Sequence, residues 1–185
     1  MVNDEQIISG CIKGDRKSQE QLFLHYSKRM MVVAMRYTKG TQEAEDVLQE
    51  AFIKVFKHIN TFKKESSLYY WIKRIVVNTA LNHQRSKLYL YPMVDVDHLK
   101  DDSRFDYNLG DFELKELMEL IHGLPTGCQV IFNLYAIEGY KHHEIGKMLS
   151  ISEGTSKSQY ARAKQLLQEK LLKNKKFNYE KYQRK

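Results

Sequence analysis

Ile7, Ile8, Cys11 and Ile12 open an apolar stripe that Leu22, Phe23, Tyr26, Met30, Val33 and Tyr37 continue at helical spacing. Gly40 and Thr41 interrupt it, with Thr41 placed to cap a second amphipathic helix and Glu43 favouring its first turn. That helix carries Ala44, Val47, Leu48, Ala51, Phe52, Val55, Phe56 and Ile59 on one face. Residues 60–67 lose the period, and Ser66 or Ser67 is placed to cap a third long helix from Leu68 to about Arg85, buried along Leu68, Trp71, Ile72, Ile75 and Thr79. The spacing of Trp71 with these neighbours argues for a core role rather than an exposed stacking platform.

Periodicity fails from Ser86 to Gly110, where Asp is frequent and Pro92 appears, so a linker and a domain boundary are expected there. It resumes through Leu114, Leu117, Met118 and Ile121, stops at Gly123-Leu124-Pro125, and continues through Val130, Ile131, Leu134 and Tyr135 to Gly139. A short helix is expected from His142 to Leu149, then a turn at Ser150-Ile151-Ser152, then a longer helix from Glu153 to about Leu172 capped by Ser152. Two helices joined by so short a turn suggest helix-turn-helix. Such a motif needs a small residue in the first helix and an apolar one in the turn, and Gly146 and Ile151 fill those places. The tail after Leu172 is strongly basic, with Phe177, Tyr179 and Tyr182 interleaved, a mixture able to touch phosphates and stack on bases, although such a tail is more often solvated and disordered.

Composition narrows the class. The chain has 185 residues, 9 Gly and only 2 Pro, so helix formers face little turn chemistry and an all-α protein of two small domains is expected. The net charge of +7 favours a polyanionic partner. Its distribution is more informative: residues 1–86 carry 14 basic and 9 acidic groups, 87–112 carry 3 and 6, and 113–185 carry 13 and 8. Two basic blocks therefore flank an acidic one. Cys11 and Cys128 offer neither a disulfide framework nor metal-ligand spacing, and there is no apolar leader or run long enough for membrane insertion. A cytoplasmic protein is expected. No phosphate-binding glycine loop, nucleophile elbow or metal motif occurs, and His142-His143-Glu144 points adjacent side chains in different directions. No catalytic residue, metal or cofactor is expected.

Particular residues carry the binding chemistry. Asp46, Gln49, Glu50, Ile53 and Lys57 share the helix face opposite the apolar stripe, a mixed and mostly acidic surface better suited to a basic protein partner than to DNA. Phe62, Lys63, Lys64, Ser66, Ser67 and Tyr69 gather aromatic, basic and hydroxyl groups in and beside one loop, and Arg74, Asn78, Asn82 and Arg85 continue as a polar stripe down the next helix. Such a set suits an exposed single strand with unstacked bases. In the second block Thr155, Lys157, Ser158, Gln159, Ala161 and Arg162 are candidates for phosphate and base contacts in a major groove.

These segments resemble a known family. Leu124-Pro125 through Phe132, Glu138-Gly139-Tyr140, Glu144-Ile145-Gly146 and Ile151-Ser152-Glu153-Gly154-Thr155 resemble the C-terminal domain of extracytoplasmic-function sigma factors of the sigma-70 family. Residues 44–52 are similar to that family's polymerase-binding helix, and Ser67-Leu68, Trp71-Ile72, Arg74-Ile75, Asn78-Thr79-Ala80 and Arg85 to its −10 region.

The resemblance implies a non-enzymatic subunit that binds core RNA polymerase, through the β′ clamp helices and the β flap, and directs it to promoter DNA. It implies region 2 over residues 1–88, an acidic linker over 89–110 threading the RNA path, region 4 over 111–173 reading the −35 duplex, and a basic tail over 174–185. It further implies an anti-sigma factor as partner. Against the family's usual pattern, Gly146 and Ser150 stand for Ala and Gly, Gln129 for Arg and Ser156 for Val, the last expected to loosen the helix-turn-helix core. The alternative is a stand-alone helix-turn-helix regulator binding duplex operators.

Overall fold

The computed structural model describes residues 4–90 and 114–183, with only the backbone described at 85–90, 114, 115, 117 and 172–183. Every regular element among them is helical: α1 (Asp4–Ile12), α2 (Arg16–Met35), α3 (Thr41–His58), α4 (Leu68–Leu90), α5 (Leu114–His122), α6 (Thr126–Phe132), α7 (His142–Leu149) and α8 (Glu153–Gln183). A tight 3₁₀ turn at Ile59–Thr61 follows α3, and a π-helical segment at Asn133–Ile137 follows α6. The chain divides into two units, residues 1–86 and 87–185. The segment expected as an acidic linker lies outside the described residues, apart from the end of α4.

In the first unit α1 packs on α2 and on the 3₁₀ turn, and α2 packs on α3. The apolar stripes meet there: Ile7, Ile8, Cys11, Leu22, Tyr26, Met30, Val33, Ala44, Val47, Ala51, Phe52, Val55 and Ile59 are buried. Phe23 meets Phe52 edge-on at 4.8 Å. Ile12 departs from the expected stripe and is 54% exposed, because it closes α1 one residue after the last buried position, Cys11.

Asp15 starts α2 by accepting from the Ser18 backbone N–H at 2.9 Å and the Ser18 hydroxyl at 2.6 Å, a cap worth about 1 kcal/mol. The start of α3 differs from expectation. Gly40, extended at φ −158 and ψ 163, occupies the cap position, and Thr41 is the first helical residue. Glu43, in the first turn, folds back to accept the Lys39 backbone N–H at 3.1 Å, tying the preceding turn to the helix start.

Helix α4 buries a broader face than the spacing predicts. Leu68, Trp71, Ile72 and Thr79 are buried as expected, but so are Val76, Val77, Ala80, Leu81 and Gln84, while Ile75 is only half-buried. Trp71 is 9% exposed and lies 5.6 Å from Phe62, in keeping with its core role. Gln84 is held by donating to the Tyr37 carbonyl. The helix runs beyond Arg85 to Leu90 because residues 86–90 contain neither Gly nor Pro.

In the second unit α6 and α7 both pack on α8. Ile121, Leu124, Cys128, Phe132, Ala163 and Leu167 form its core. The expected bounds of α7 are met at both ends, and Ser152 caps α8 by accepting the Thr155 N–H at 2.9 Å. The backbone of α8 continues to Gln183, past the expected end near Leu172, since no Gly or Pro interrupts it. Its last residues are therefore helical rather than a disordered tail. No helix among the described residues is long and apolar enough to cross a membrane.

Candidate functional site

Three surfaces draw together the candidate residues. On α3 the apolar stripe faces inward, which turns Asp46, Gln49, Ile53 and Lys57 fully outward and leaves Glu50 half-buried beside them. Ile53 is 68% exposed, an apolar side chain among charged and polar neighbours. Glu50 accepts from the Lys54 ammonium at 2.6 Å and faces His83 Nε2 of α4 at 3.4 Å, and Lys54 also donates to the Thr79 hydroxyl at 3.3 Å. The Lys54 hydrogen bond is the main cause holding the Glu50 carboxyl below its ordinary value. The edge of this face is thereby fixed to α4. An exposed apolar residue among acidic, amide and basic groups is suited to a protein partner with complementary charged and apolar groups.

The second surface is the loop between the 3₁₀ turn and α4, together with the outer stripe of α4. Lys63, Lys64, Ser66 and Ser67 are exposed, and Ser67 lends its carbonyl to the first turn of α4 through the Trp71 N–H. Lys64 adopts left-handed backbone at φ 60 and pairs with Glu5 of α1 at 2.6 Å. Phe62 is half-buried against Trp71, so it supports the loop from beneath. Tyr69 is half-buried under the Arg29 guanidinium of α2, 4.1 Å from the ring centre. Arg74, Asn78 and Asn82 are exposed at four-residue spacing, forming the expected polar stripe. Arg85 continues the backbone of α4, and its side chain lies outside the described residues. Arg29, Tyr70 and Lys73, outside the expected set, lie beside these residues in cation–aromatic contacts. Tyr70 is 60% exposed and heads the same stripe one turn before Arg74, a spacing legible in the sequence.

The third surface is the helix-turn-helix of α7 and α8. Gly146 is required by close approach: a Cβ there would lie 2.9 Å from the Ile151 carbonyl oxygen. Ser150 takes the left-handed conformation, φ 56 and ψ 45, that ends α7. Ser156 does not loosen the motif, because its buried hydroxyl lies 2.9 Å from His142 Nδ1 and ties the two helices together. His142 in turn stacks on Tyr135, ring centres 4.1 Å apart.

The expected groove-reading set splits. Lys157 is exposed and paired with Glu153 at 2.7 Å; Ser158, Ala161 and Arg162 are half-buried at the margin of the outer face. Gln159 and Thr155 are corrections. Gln159 is 4% exposed and its carboxamide oxygen accepts from the Cys128 thiol at 3.1 Å, inside the core. Thr155 is 7% exposed, and its hydroxyl lies 2.8 Å from the Ser152 cap. Both fall on the side of α8 that packs against α6 and α7.

With these surfaces defined, comparison with known proteins is informative. Residues 22–88 match the family model of Sigma-70 region 2, and residues 114–167 that of Sigma-70, region 4. Over 182 residues the chain is 29% identical to the RNA polymerase sigma-H factor of Pseudomonas aeruginosa, covering 91% of this chain and 93% of that one. It is 27% identical to the ECF RNA polymerase sigma-E factor of Haemophilus influenzae, covering 92% and 96%. Among solved structures it is similar to the sigma factor RpoE from Bartonella quintana, crystallised with the anti-sigma factor NepR. That similarity has a TM-score of 0.52 at 20% identity and covers 82% of this chain and 95% of that chain, a likeness of fold.

Proposed function

The chain belongs to the sigma-70 family of RNA polymerase sigma factors, in its extracytoplasmic-function group, and from that premise we propose how its surfaces divide the work of a sigma factor. Residues 1–88 bind core polymerase and handle the −10 element, and residues 111–173 bind the −35 duplex. The protein supplies recognition and strand capture, acts in the cytoplasm, and leaves the chemistry of nucleotide addition to the polymerase.

The observation that carries this reading is that the first unit presents two outward faces of different chemistry on different elements. The α3 face offers Asp46, Gln49, Glu50 and exposed Ile53, a protein-binding surface, to the β′ clamp helices. The loop and α4 stripe offer Lys63, Lys64, Ser66, Ser67, Arg74, Asn78 and Asn82, donors and acceptors with positive charge, to a melted strand. One unit thus presents protein and nucleic acid with different helices, which a factor bridging polymerase and promoter requires.

In the second unit Lys157 and the backbone N–H groups at the start of α8 approach phosphates, where the helix dipole favours negative charge. Ser158, Ala161 and Arg162 remain for base edges, while Gln159 and Thr155 act through the fold. The β flap is the polymerase partner of this unit. An anti-sigma factor is a further partner, on the model of the Bartonella relative crystallised with NepR.

Three substitutions test the division in holoenzyme reconstituted from the full chain and core polymerase. Ile53→Asp is expected to weaken core association, Asn78→Ala to shorten the lifetime of the open promoter complex, and Lys157→Ala to weaken retention of a −35 duplex. Identical defects in all three assays for all three variants would overturn it.

A further inference from the structure

Glu5 of α1 stands outside every surface expected from the sequence, yet it reaches the loop before α4. Its carboxylate accepts a hydrogen bond from the Lys64 ammonium at 2.6 Å, across 59 positions of the chain. Both ends of this contact are held by the fold. Helix α1 packs on α2 and the 3₁₀ turn through buried Ile7, Ile8 and Cys11, and the Tyr26 hydroxyl donates to Asp4 at 3.4 Å. Lys64 takes left-handed backbone at φ 60, a region that residues other than glycine rarely adopt. The two side chains themselves are accessible, 61% exposed for Lys64 and 72% for Glu5. The Lys64 hydrogen bond is the main cause holding the Glu5 carboxyl below its ordinary value. An ion pair this exposed is weak and screened. It is also exchangeable, because a phosphate oxygen offers an ammonium the same charge-assisted hydrogen bond that a carboxylate does.

We propose that Glu5 is an internal counterion of this loop: it holds Lys64 until a phosphate of the melted strand displaces it, so that α1 restrains the grip of the first unit on single strands. The inference rests on the reading that the loop handles melted DNA. Glu5 is a positioning residue, acting through Lys64 rather than on the strand. Of the loop's two lysines, Lys63 and Lys64, it engages the one whose backbone turns left-handed. The exchange has a signature in salt. Lys64 displaces counterions from the phosphate it joins, but the Glu5 carboxylate left behind recruits a cation from solution. Net ion release on strand binding is therefore smaller than the loop lysines alone would give.

The test uses holoenzyme reconstituted from the full chain and core polymerase, with a fluorescent promoter fragment carrying a pre-opened bubble, titrated across a salt series. Glu5→Gln is expected to bind the bubble about threefold more tightly at low salt, with a log–log salt slope steeper by up to about one. Lys64→Gln is expected to bind more weakly with a shallower slope, and Lys63→Gln likewise. In the Lys64→Gln background, Glu5→Gln is expected to change neither affinity nor slope, which separates exchange at Lys64 from a general loss of negative charge. Unchanged or weaker binding by Glu5→Gln, or the same gain with Lys64 already replaced, would overturn the counterion alone, provided Lys63→Gln is impaired. Full bubble binding by both Lys63→Gln and Lys64→Gln at every salt concentration would overturn it together with the reading of the loop.

Discussion

The carboxamide oxygen of Gln159 accepts a hydrogen bond from the Cys128 thiol at 3.1 Å, joining α8 to α6 inside the second unit. A residue at a helix position suited to reading adenine is thus internal, and burial raises the Cys128 thiol above its ordinary value, keeping it protonated as the donor. Gln159→Ala is expected to destabilise this unit by about 1–3 kcal/mol, through lost packing and an unsatisfied neighbour. Its effect on promoter preference should be nil: urea unfolding shifts, whereas the ranking of −35 sequences by the folded protein does not.

Gly146 gives a sharper stability effect. The Ile151 carbonyl already accepts no larger neighbour than hydrogen at 146, since any Cβ would stand at 2.9 Å from backbone. Gly146→Val is expected to cost more than about 2 kcal/mol, as overpacking at a rigid contact does. Thermal unfolding together with −35 duplex binding checks this, and both should fall because α8 is displaced relative to α7.

Lys157 and Glu153 make a competing pair at the entrance to α8, 2.7 Å apart, with the Glu153 carboxyl held below its ordinary value chiefly by the Lys157 hydrogen bond. Lys157→Ala is expected to weaken binding to all −35 duplexes alike and to reduce the log–log salt slope by about one. Glu153→Gln is expected to strengthen binding modestly, by freeing Lys157 for phosphate and removing a negative charge. Fluorescence anisotropy across a salt series distinguishes the two.

The α3–α4 edge predicts a pH dependence. Lys54 is the first cause, and His83 a lesser one, of the lowered Glu50 carboxyl. A group whose folded value is lowered adds stability above its unfolded value and loses that stability as pH falls through the folded one. Glu50→Gln should therefore be less stable than wild type near neutral pH and converge with it as pH falls through and below the ordinary glutamate range. The pair is 36% and 43% exposed, so solvent screening limits the difference to under about 1 kcal/mol. Urea midpoints across this pH range measure it.

The helical class, the two-block organisation and the exact span of α7 were legible because strong apolar periods are punctuated by few Gly and Pro residues. Ser152 was legible as a cap because its hydroxyl acts locally. What escaped depends on tertiary partners. Gln159 and Gln84 look like surface residues until Cys128 and the Tyr37 carbonyl engage them in the interior. Ser156 reads as a defect until His142 reaches it across the turn. Ile12 reads as core because periodicity does not reveal that α1 ends there, one residue past its last buried position. On the α4 surface the polar stripe was readable, and Tyr70 falls on it by spacing, but the run Tyr69-Tyr70-Trp71 does not reveal that its three rings go to three different environments.

The most direct measurement is run-off transcription with the full chain, sigma-free core polymerase and a library of promoter fragments. Transcripts should start at fixed positions downstream of a shared pair of upstream elements only when the chain is added, and Ile53→Asp should reduce them at limiting concentration. Tight autonomous binding to a duplex operator, with no specific transcript from any core and promoter combination, would contradict a sigma factor.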